Sequence, residues 1–388
     1  MKTFKWKIIL FFISILILYL IFIHDMSLKN NYIFPSYYRS FVQGFKNKFY
    51  SDQNIKVPGV LNQSRKFLIL TYTNFSNVWR LPFKASSVCS FDTSNFKITD
   101  NKKQLHRSDV VIFNSRDMPP MQELERINNM RRNSQLWIYF TMESIHNNPD
   151  VTDIDKYFNA TATFGVDTDI PFPYRYHKKL SKVKNINKDY FLNKTRMVAW
   201  VVSNCKINAR NKLALKLISY GVDIEVSGKC AKKFPKRFFS KCQGRPCYAD
   251  LRDFKFYFAA ENSLCDGYIT EKYWRTGLNF DLIPIVLGGS NYSDPRLAIP
   301  GSYIDAMSFD SPKTLADYIL NVSSNSTKYN SFFEWKKHWK LGGYSYFCTL
   351  CSKLENGISF RTNPLLKTMN RSKCSRPQKK FNIWIKKS

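Results

Sequence analysis

The chain is short of acidic side chains: 29 Asp and Glu stand against 60 Lys and Arg in 388 residues, a formal charge of +31. An excess of this size invites a nucleic-acid reading. The cations, however, are scattered rather than gathered into one stripe, and no RNA- or DNA-binding motif accompanies them, so nucleic acid is set aside as a partner. The charge reads instead as a positive field that draws anionic donors or membrane surfaces. Metal-ligand spacing is also lacking. Cys348-x-x-Cys351 has no second C-x-x-C and no paired histidines to complete a zinc site. There is no internal repeat or low-complexity tract, and long apolar runs are nearly absent.

The one such run is N-terminal. Sixteen residues, Ile8 to Ile23, are apolar but for Ser14 and Tyr19, with Lys2, Lys5 and Lys7 before them and His24-Asp25 after. Phe4 and Trp6 extend the apolar length towards that of a membrane span. No small-residue cleavage site follows Ile23, so the run reads as an uncleaved signal anchor rather than a removed leader. The upstream lysines keep residues 1–7 in the cytosol, which makes 8–23 the transmembrane helix and the body lumenal. Eight N-x-[ST] sequons agree with that topology: Asn62, Asn74, Asn159, Asn193, Asn291, Asn321, Asn325 and Asn370. Nine cysteines in a lumenal chain imply disulfides, with one left over.

Residues 24–65 are polar and aromatic without a clear period and read as a stem. Compact α/β structure follows. Phe67–Tyr72, Val110–Phe113 and Leu136–Phe140 are predicted strands, with a helix over Met121–Met130. Strands of continuous apolar character alternating with helices argue for a parallel sheet covered on both faces. A lysine-rich link, Lys178–Lys194, separates this first domain (66–180) from a second (196–360). The second opens with a strand at Met197–Val202, a helix over Asn208–Tyr220 and a strand at Val222–Val226 ending at Gly228. The basic end, 361–388, reads as a solvated tail.

The densest chemistry lies in Phe256–Leu287. An aromatic strand, Phe256–Ala260, runs into Glu261-Asn262-Ser263. A loop with Asp266-Gly267-Tyr268 leads to Thr270-Glu271-Lys272 at a helix start, and a second buried strand, Ile283–Leu287, follows. Carboxyl ends of parallel strands and helix N-termini are where such sheets bind phosphorylated ligands. Arg210, at the start of the helix after Val198–Val202, offers a planar fork at a second such position. On the other domain, Leu136–Phe140 emits Thr141-Met142-Glu143-Ser144, placing a carboxylate at a strand end. Asp153-Ile154-Asp155 and Asp167-Thr168-Asp169 are D-x-D strings of the kind that can chelate a divalent cation, but neither follows a strong central strand.

The block E-N-S-x-C-x-x-Y-I-T-E-K-x-W followed by P-I-V-L-G resembles the signature of the α1,3-fucosyltransferases, glycosyltransferase family 10. The resemblance covers roughly Leu68 to Leu354. It implies a GT-B fold, two Rossmann-like domains facing a cleft, in a Golgi type II membrane enzyme that moves L-fucose from GDP-fucose to a glycan or glycoprotein acceptor with inversion. In that frame Glu143 is the general base. Arg210 and Lys272 neutralise the diphosphate, Asn262 and Tyr268 contact the diphosphate or base region, Glu271 meets the ribose, and Gly228 allows close nucleotide approach. With two cations on the diphosphate no metal is required, and Mn²⁺ is at most stimulatory. The resemblance also implies that the late Phe347-Cys348-x-x-Cys351 tethers back to Cys89, the cysteine available before Cys205, so that one of the family's two tethers is missing. Cys205, Cys230, Cys242, Cys247 and Cys265 then pair mostly among themselves. Asn159 lies in an F-N-x-T like the family's. Glu143-Ser144-Ile145-His146 departs from the family's E-S-P, and Phe164-Gly165 from its Tyr-Arg. Two alternatives stay open: a GT-B glycosyltransferase with another donor or acceptor, and a catalytically silent, membrane-tethered glycan-binding protein.

Overall fold

Strands without polar alternation need cover on both faces, and that requirement organises the molecule. A computed structural model of the chain describes residues 66–73, 89, 91–206, 209–237, 248–342, 346–358 and 364–387. The expected cytosolic tail, anchor and stem, with Asn62 and Asn74, lie outside these residues. Among the described residues no helix is long and apolar enough to cross a membrane.

The first sheet is built from β1 (Phe67–Thr71), β2 (Phe96–Thr99), β3 (Val110–Asn114), β4 (Leu136–Thr141), β5 (Ala160–Thr163) and β6 (Ile170–Pro171). It is parallel throughout, in the order β2-β1-β3-β4-β5-β6. After a short strand β7 (Tyr176–Lys179) comes the second sheet: β8 (Arg196–Val201), β9 (Ile224–Ser227), β10 (Lys236–Arg237), β11 (Phe254–Ala260), β12 (Ile283–Leu287) and β13 (Ile304–Asp305). It too is parallel, in the order β10-β9-β8-β11-β12-β13, the doubly wound Rossmann arrangement. A final strand, β14 (Trp339–Gly342), pairs antiparallel with β7. The two α/β sheets are of GT-B type, as expected.

The alternation of side chains along each strand sorts the core into layers. In the first sheet Ile69, Val110, Ile112 and Ile138 face one cluster. Leu70, Val111, Phe113 and Trp137 face the other, where helix α1 (Met121–Asn128) contributes Leu124 and Ile127. In the second sheet Trp200, Val226, Phe258 and Ile285 pack on helices α2 (Ala209–Ser219) and α3 (Pro312–Ser324), while Tyr257, Ala259 and Val286 pack on Tyr273 and Trp274.

The C-terminal region corrects two expectations. Helix α4 (Tyr346–Glu355) falls within the range assigned to the second domain, yet Phe347, Leu350 and Leu354 are buried on the first sheet. Helix α5 (Pro364–Thr368) stays there, with Leu365 and Met369 beside Trp137. The chain then returns: the supposed solvated tail is helix α6 (Ser372–Trp384), whose Phe381 and Trp384 join the second sheet's core. The Trp384 indole N–H donates to the Phe309 carbonyl at 2.6 Å. Lysine content hid an amphipathic helix whose buried stripe holds Cys374, Phe381 and Trp384. Cys89–Cys348 and Cys205–Cys230 pair in line with expectation. Cys265, expected within the second-domain group, is bonded to Cys374 instead, and Cys351 is a buried free thiol.

Candidate active site

In doubly wound sheets ligands settle at the carboxyl edge where the strand order reverses. In the second sheet that point lies between β8 and β11, and both strands deliver polar residues to it. Beyond β8 the chain passes Ser203-Asn204-Cys205 into α2, whose first turn carries Arg210. The residue is 3% exposed, and its Nη2 donates to the Asn204 carbonyl at 2.8 Å. Its Nε is buried with no partner among the described residues. Burial holds this arginine below its ordinary value, while Glu261 and Glu271 act in the opposite sense. A buried cation with an idle N–H is incomplete without an anion.

Beyond β11 comes the signature loop, and Glu261 holds it shut. Its buried carboxylate accepts from the Thr270 backbone N–H at 2.8 Å and from the Thr270 hydroxyl at 2.9 Å. Lys272 Nζ sits 3.1 Å from Glu261 and 3.0 Å from Glu271, and donates to the Thr270 hydroxyl. Burial pushes the Glu261 carboxyl up, against the pull of Lys272. Burial alone favours the neutral amine of Lys272, but Glu261 and then Glu271 outweigh it and keep the ammonium charged. For Glu271, burial is likewise outweighed by Lys272, which holds the carboxyl low. The segment expected to open as a helix at Thr270 is a single π-helical stretch, Lys272–Gly277. Such short stretches are frequent at functional sites. Lys272 is therefore committed to two carboxylates rather than standing free. Asn262 follows Glu261, with its Oδ1 buried and unpartnered.

Gly228 is called for by the backbone itself. It follows β9 with φ +93°, and a Cβ there would lie 2.6 Å from the Val202 carbonyl oxygen. The glycine lets the loops after β8 and β9 cross closely, where Cys205–Cys230 bridges them.

Across the cleft, Glu143 lies just past the carboxyl end of β4. Its backbone N–H donates to the Thr141 hydroxyl, and its carbonyl accepts from Asn148 Nδ2 at 3.0 Å. The carboxylate is met by Arg116 Nη2 at 2.6 Å, Asn147 Nδ2 at 3.3 Å and the Tyr268 hydroxyl at 3.4 Å. Tyr268 was expected to serve the nucleotide; here its hydroxyl is turned to Glu143. Its ring is buried against Phe164, at a centroid distance of 4.8 Å, and Tyr174. Burial, reinforced by Glu261, keeps the phenol protonated and able to donate. The Ser144 hydroxyl donates to that of Ser263 at 2.8 Å, a second link across the cleft. The structure thus brings together Glu143 and Tyr268 on one side, and Asn262, Glu271, Lys272 and Arg210 around Glu261 on the other. Arg116, Asn147 and Ser263 escaped sequence reasoning. Arg116 was legible in principle, because β3 and β4 are neighbours and Arg116 and Glu143 each lie two residues past the end of their strand.

One carboxylate of each D-x-D string serves the backbone. Asp155, buried, accepts from the Leu365 N–H at 2.7 Å and the Leu366 N–H at 3.4 Å, capping α5. Asp169 accepts from the backbone and hydroxyl of Thr161. Among the described residues no group of three or more His, Cys, Asp or Glu could hold a metal. Of the sequons described, Asn193, Asn291, Asn321, Asn325 and Asn370 are exposed. Asn159 is half-buried, with its Oδ1 taken by the Trp137 N–H and Arg131.

A GT-B cleft with an unsatisfied buried arginine on one wall and a carboxylate on the other defines a glycosyltransferase type of site. The chain matches "Fucosyltransferase, N-terminal" over residues 64–175 and "Glycosyltransferase family 10 (fucosyltransferase) C-term" over residues 191–369. It is 30% identical over 301 residues to "3-galactosyl-N-acetylglucosaminide 4-alpha-L-fucosyltransferase FUT3" of Bos taurus, covering 74% of this chain and 79% of the relative. It is 31% identical over 296 residues to "4-galactosyl-N-acetylglucosaminide 3-alpha-L-fucosyltransferase FUT6" of Homo sapiens, covering 74% and 80%. A solved structure titled "Crystal Structure of alpha1,3-Fucosyltransferase with GDP-fucose" aligns with a TM-score of 0.47 at 15% identity, over 84% of this chain and 91% of that one. The chain belongs to glycosyltransferase family 10, the fucosyltransferases.

Proposed function

We propose that this fucosyltransferase moves L-fucose from GDP-β-L-fucose to a GlcNAc hydroxyl of a glycan, forming an α1,3-fucoside by single displacement with inversion. The observation that carries the reading is the meeting of Glu143, from the first domain, with Tyr268, from the signature loop of the second. Glu143 takes the acceptor proton as that oxygen attacks the anomeric carbon opposite the diphosphate. The protonated Tyr268 and Arg116 hold the carboxylate in register. Arg210, through its idle Nε, and Asn262 receive the nucleotide diphosphate, and Lys272 supplies further positive charge to the leaving group. This division of labour needs no metal. The N-terminal apolar run and the exposed sequons support a single-pass type II enzyme of the Golgi with a lumenal body.

The test is to incubate the enzyme with GDP-fucose and a panel of glycans, with and without EDTA, and to locate the new linkage by mass spectrometry and glycosidase digestion. A new α1,3-fucose on GlcNAc with most activity surviving EDTA is the expected result. Transfer of another sugar, a β-linked product, or complete metal dependence would each overturn the corresponding part.

A further inference from the structure

The signature loop is held at its neck and at its tip by different means. Between the end of β11 at Ala260 and the π-helical stretch at Lys272 the chain has no strand or helix to lean on. Glu261 closes the neck: its own N–H donates to the Leu287 carbonyl at 2.8 Å, and its carboxylate holds Thr270. The tip, Ser263 to Tyr268, lies beyond that clasp.

The tip is fixed from outside, by the C-terminal segment. Cys265 is bonded to Cys374 in the first turn of α6, and the Asp266 N–H donates to the Lys373 carbonyl at 2.9 Å. Cys265, Cys374 and Tyr268 form one buried cluster, against which Ile145 and Phe164 of the first domain pack. Behind the loop Gly289 leaves no slack, since a Cβ there would stand 2.5 Å from the Cys265 nitrogen. The Tyr268 N–H donates back to the Cys265 carbonyl at 3.3 Å, so the two residues belong to one turn. Helix α6 has moorings of its own, in the burial of Phe381 and Trp384 on the second sheet. Cys374 is thus a fixed post, set by packing that does not depend on the bond.

What the tip carries gives the bond a task. The Tyr268 hydroxyl reaches across the cleft to Glu143 at 3.4 Å, and the Ser263 hydroxyl accepts from Ser144 at 2.8 Å. Hydrogen bonds of this kind are lost within a fraction of an ångström, and a misplacement of about 1 Å can lower a rate by about 10²-fold. We infer that Cys374 is a positioning residue for fucosyl transfer: through its bond to Cys265, α6 keeps Tyr268 within reach of Glu143. The inference rests on the reading of Glu143 as the base.

The test measures turnover and GDP binding of the full-length enzyme in detergent, with Cys374→Ser made in wild type and in Tyr268→Phe. In wild type Cys374→Ser should lower kcat about tenfold and leave the Kd for GDP within about twofold, because Glu261 still closes the neck. In Tyr268→Phe, itself slowed, the same substitution should change kcat by no more than about twofold, since the hydroxyl to be positioned is gone. Equal losses in the two backgrounds, a parallel loss of GDP affinity, or an unchanged kcat overturns the inference. Should Cys374→Ser fail to fold, Cys265→Ala combined with Cys374→Ala takes its place, removing both sulfurs without leaving a free thiol or a buried hydroxyl. If neither folds, the bond serves the fold alone and the inference falls. Normal turnover in Glu143→Gln would remove the base reading instead, and hydrogen exchange then decides. Faster exchange at residues 263–268 in Cys374→Ser, with β11 and β12 unchanged, sustains the tether, and unchanged exchange removes it as well.

Discussion

Separating Glu261 from Lys272 should cost the protein more stability than most substitutions in it, and the amount follows from geometry. The two charges lie 3.1 Å apart, with the Glu261 side chain fully buried and that of Lys272 16% exposed. At an effective dielectric near 20 that separation corresponds to roughly 5 kcal/mol of attraction, against which both groups have lost hydration. Removing either partner strands the other. Lys272→Met leaves a buried carboxylate with only the Thr270 donors, and Glu261→Gln leaves a lysine leaning on the half-exposed Glu271. Each single variant should lose about 3–5 kcal/mol. The double variant should lose less than the sum of the two by about 2 kcal/mol or more, because it leaves no orphaned charge. Urea denaturation of a soluble form beginning near residue 60, followed by tryptophan fluorescence, measures all four corners of the cycle. Additivity within about 0.5 kcal/mol would refute the pairing. Added GDP should raise the midpoint of wild type and raise it less in Lys272→Met, which separates phosphate binding from support of the loop.

Other outcomes follow from the same geometry. Glu143→Gln should lower turnover by roughly 10²–10⁴-fold with GDP affinity little changed, and normal turnover in the folded variant would falsify the base role. Trp384→Ala should destabilise the body by about 3–5 kcal/mol in thermal or urea unfolding, because α6 is part of the core; a loss below about 1 kcal/mol would return it to the status of a solvated tail. Asp281 is partly buried, which alone would raise its carboxyl, but Lys188 and Lys336 outweigh this and hold it low. Its contribution to stability is therefore present above the unfolded carboxylate value and lost as pH falls through the folded one. The stability gap between wild type and Asp281→Asn should shrink from roughly pH 5 to pH 3, and a gap that widens on acidification would contradict the assignment. Asparagine tolerates the positive φ of 56° at this position, so the comparison isolates charge. Burial pushes the Cys351 thiol up to about 12, so iodoacetamide at pH 8 should label it only after denaturation, as peptide mass mapping would show.

The strands β1, β3, β4, β8, β11 and β12 could be read from the chain because strands buried on both faces must be continuously apolar, and little else in a globular protein is. Glu143, Arg210 and the Glu261–Lys272 block were legible for a related reason, since polar residues that follow such strands have to emerge at the sheet's carboxyl edge. The strands β5, β6, β10 and β13, at the sheet edges or next to one, were not legible. They are short and carry sequences such as Ala-Thr-Ala-Thr, whose strand character comes from the neighbour they pair with. Partnership across distance was equally out of reach. That Lys272 is held between two carboxylates, that the Tyr268 hydroxyl meets Glu143, and that Gly228 lies against the Val202 carbonyl all depend on which segments meet. Helices α4, α5 and α6 make the point most plainly. Local pattern makes them amphipathic helices, but an apolar stripe does not name the surface that will cover it. Only the packed structure sends α4 and α5 to the first sheet and α6 back to the second, and so brings Cys374 to Cys265.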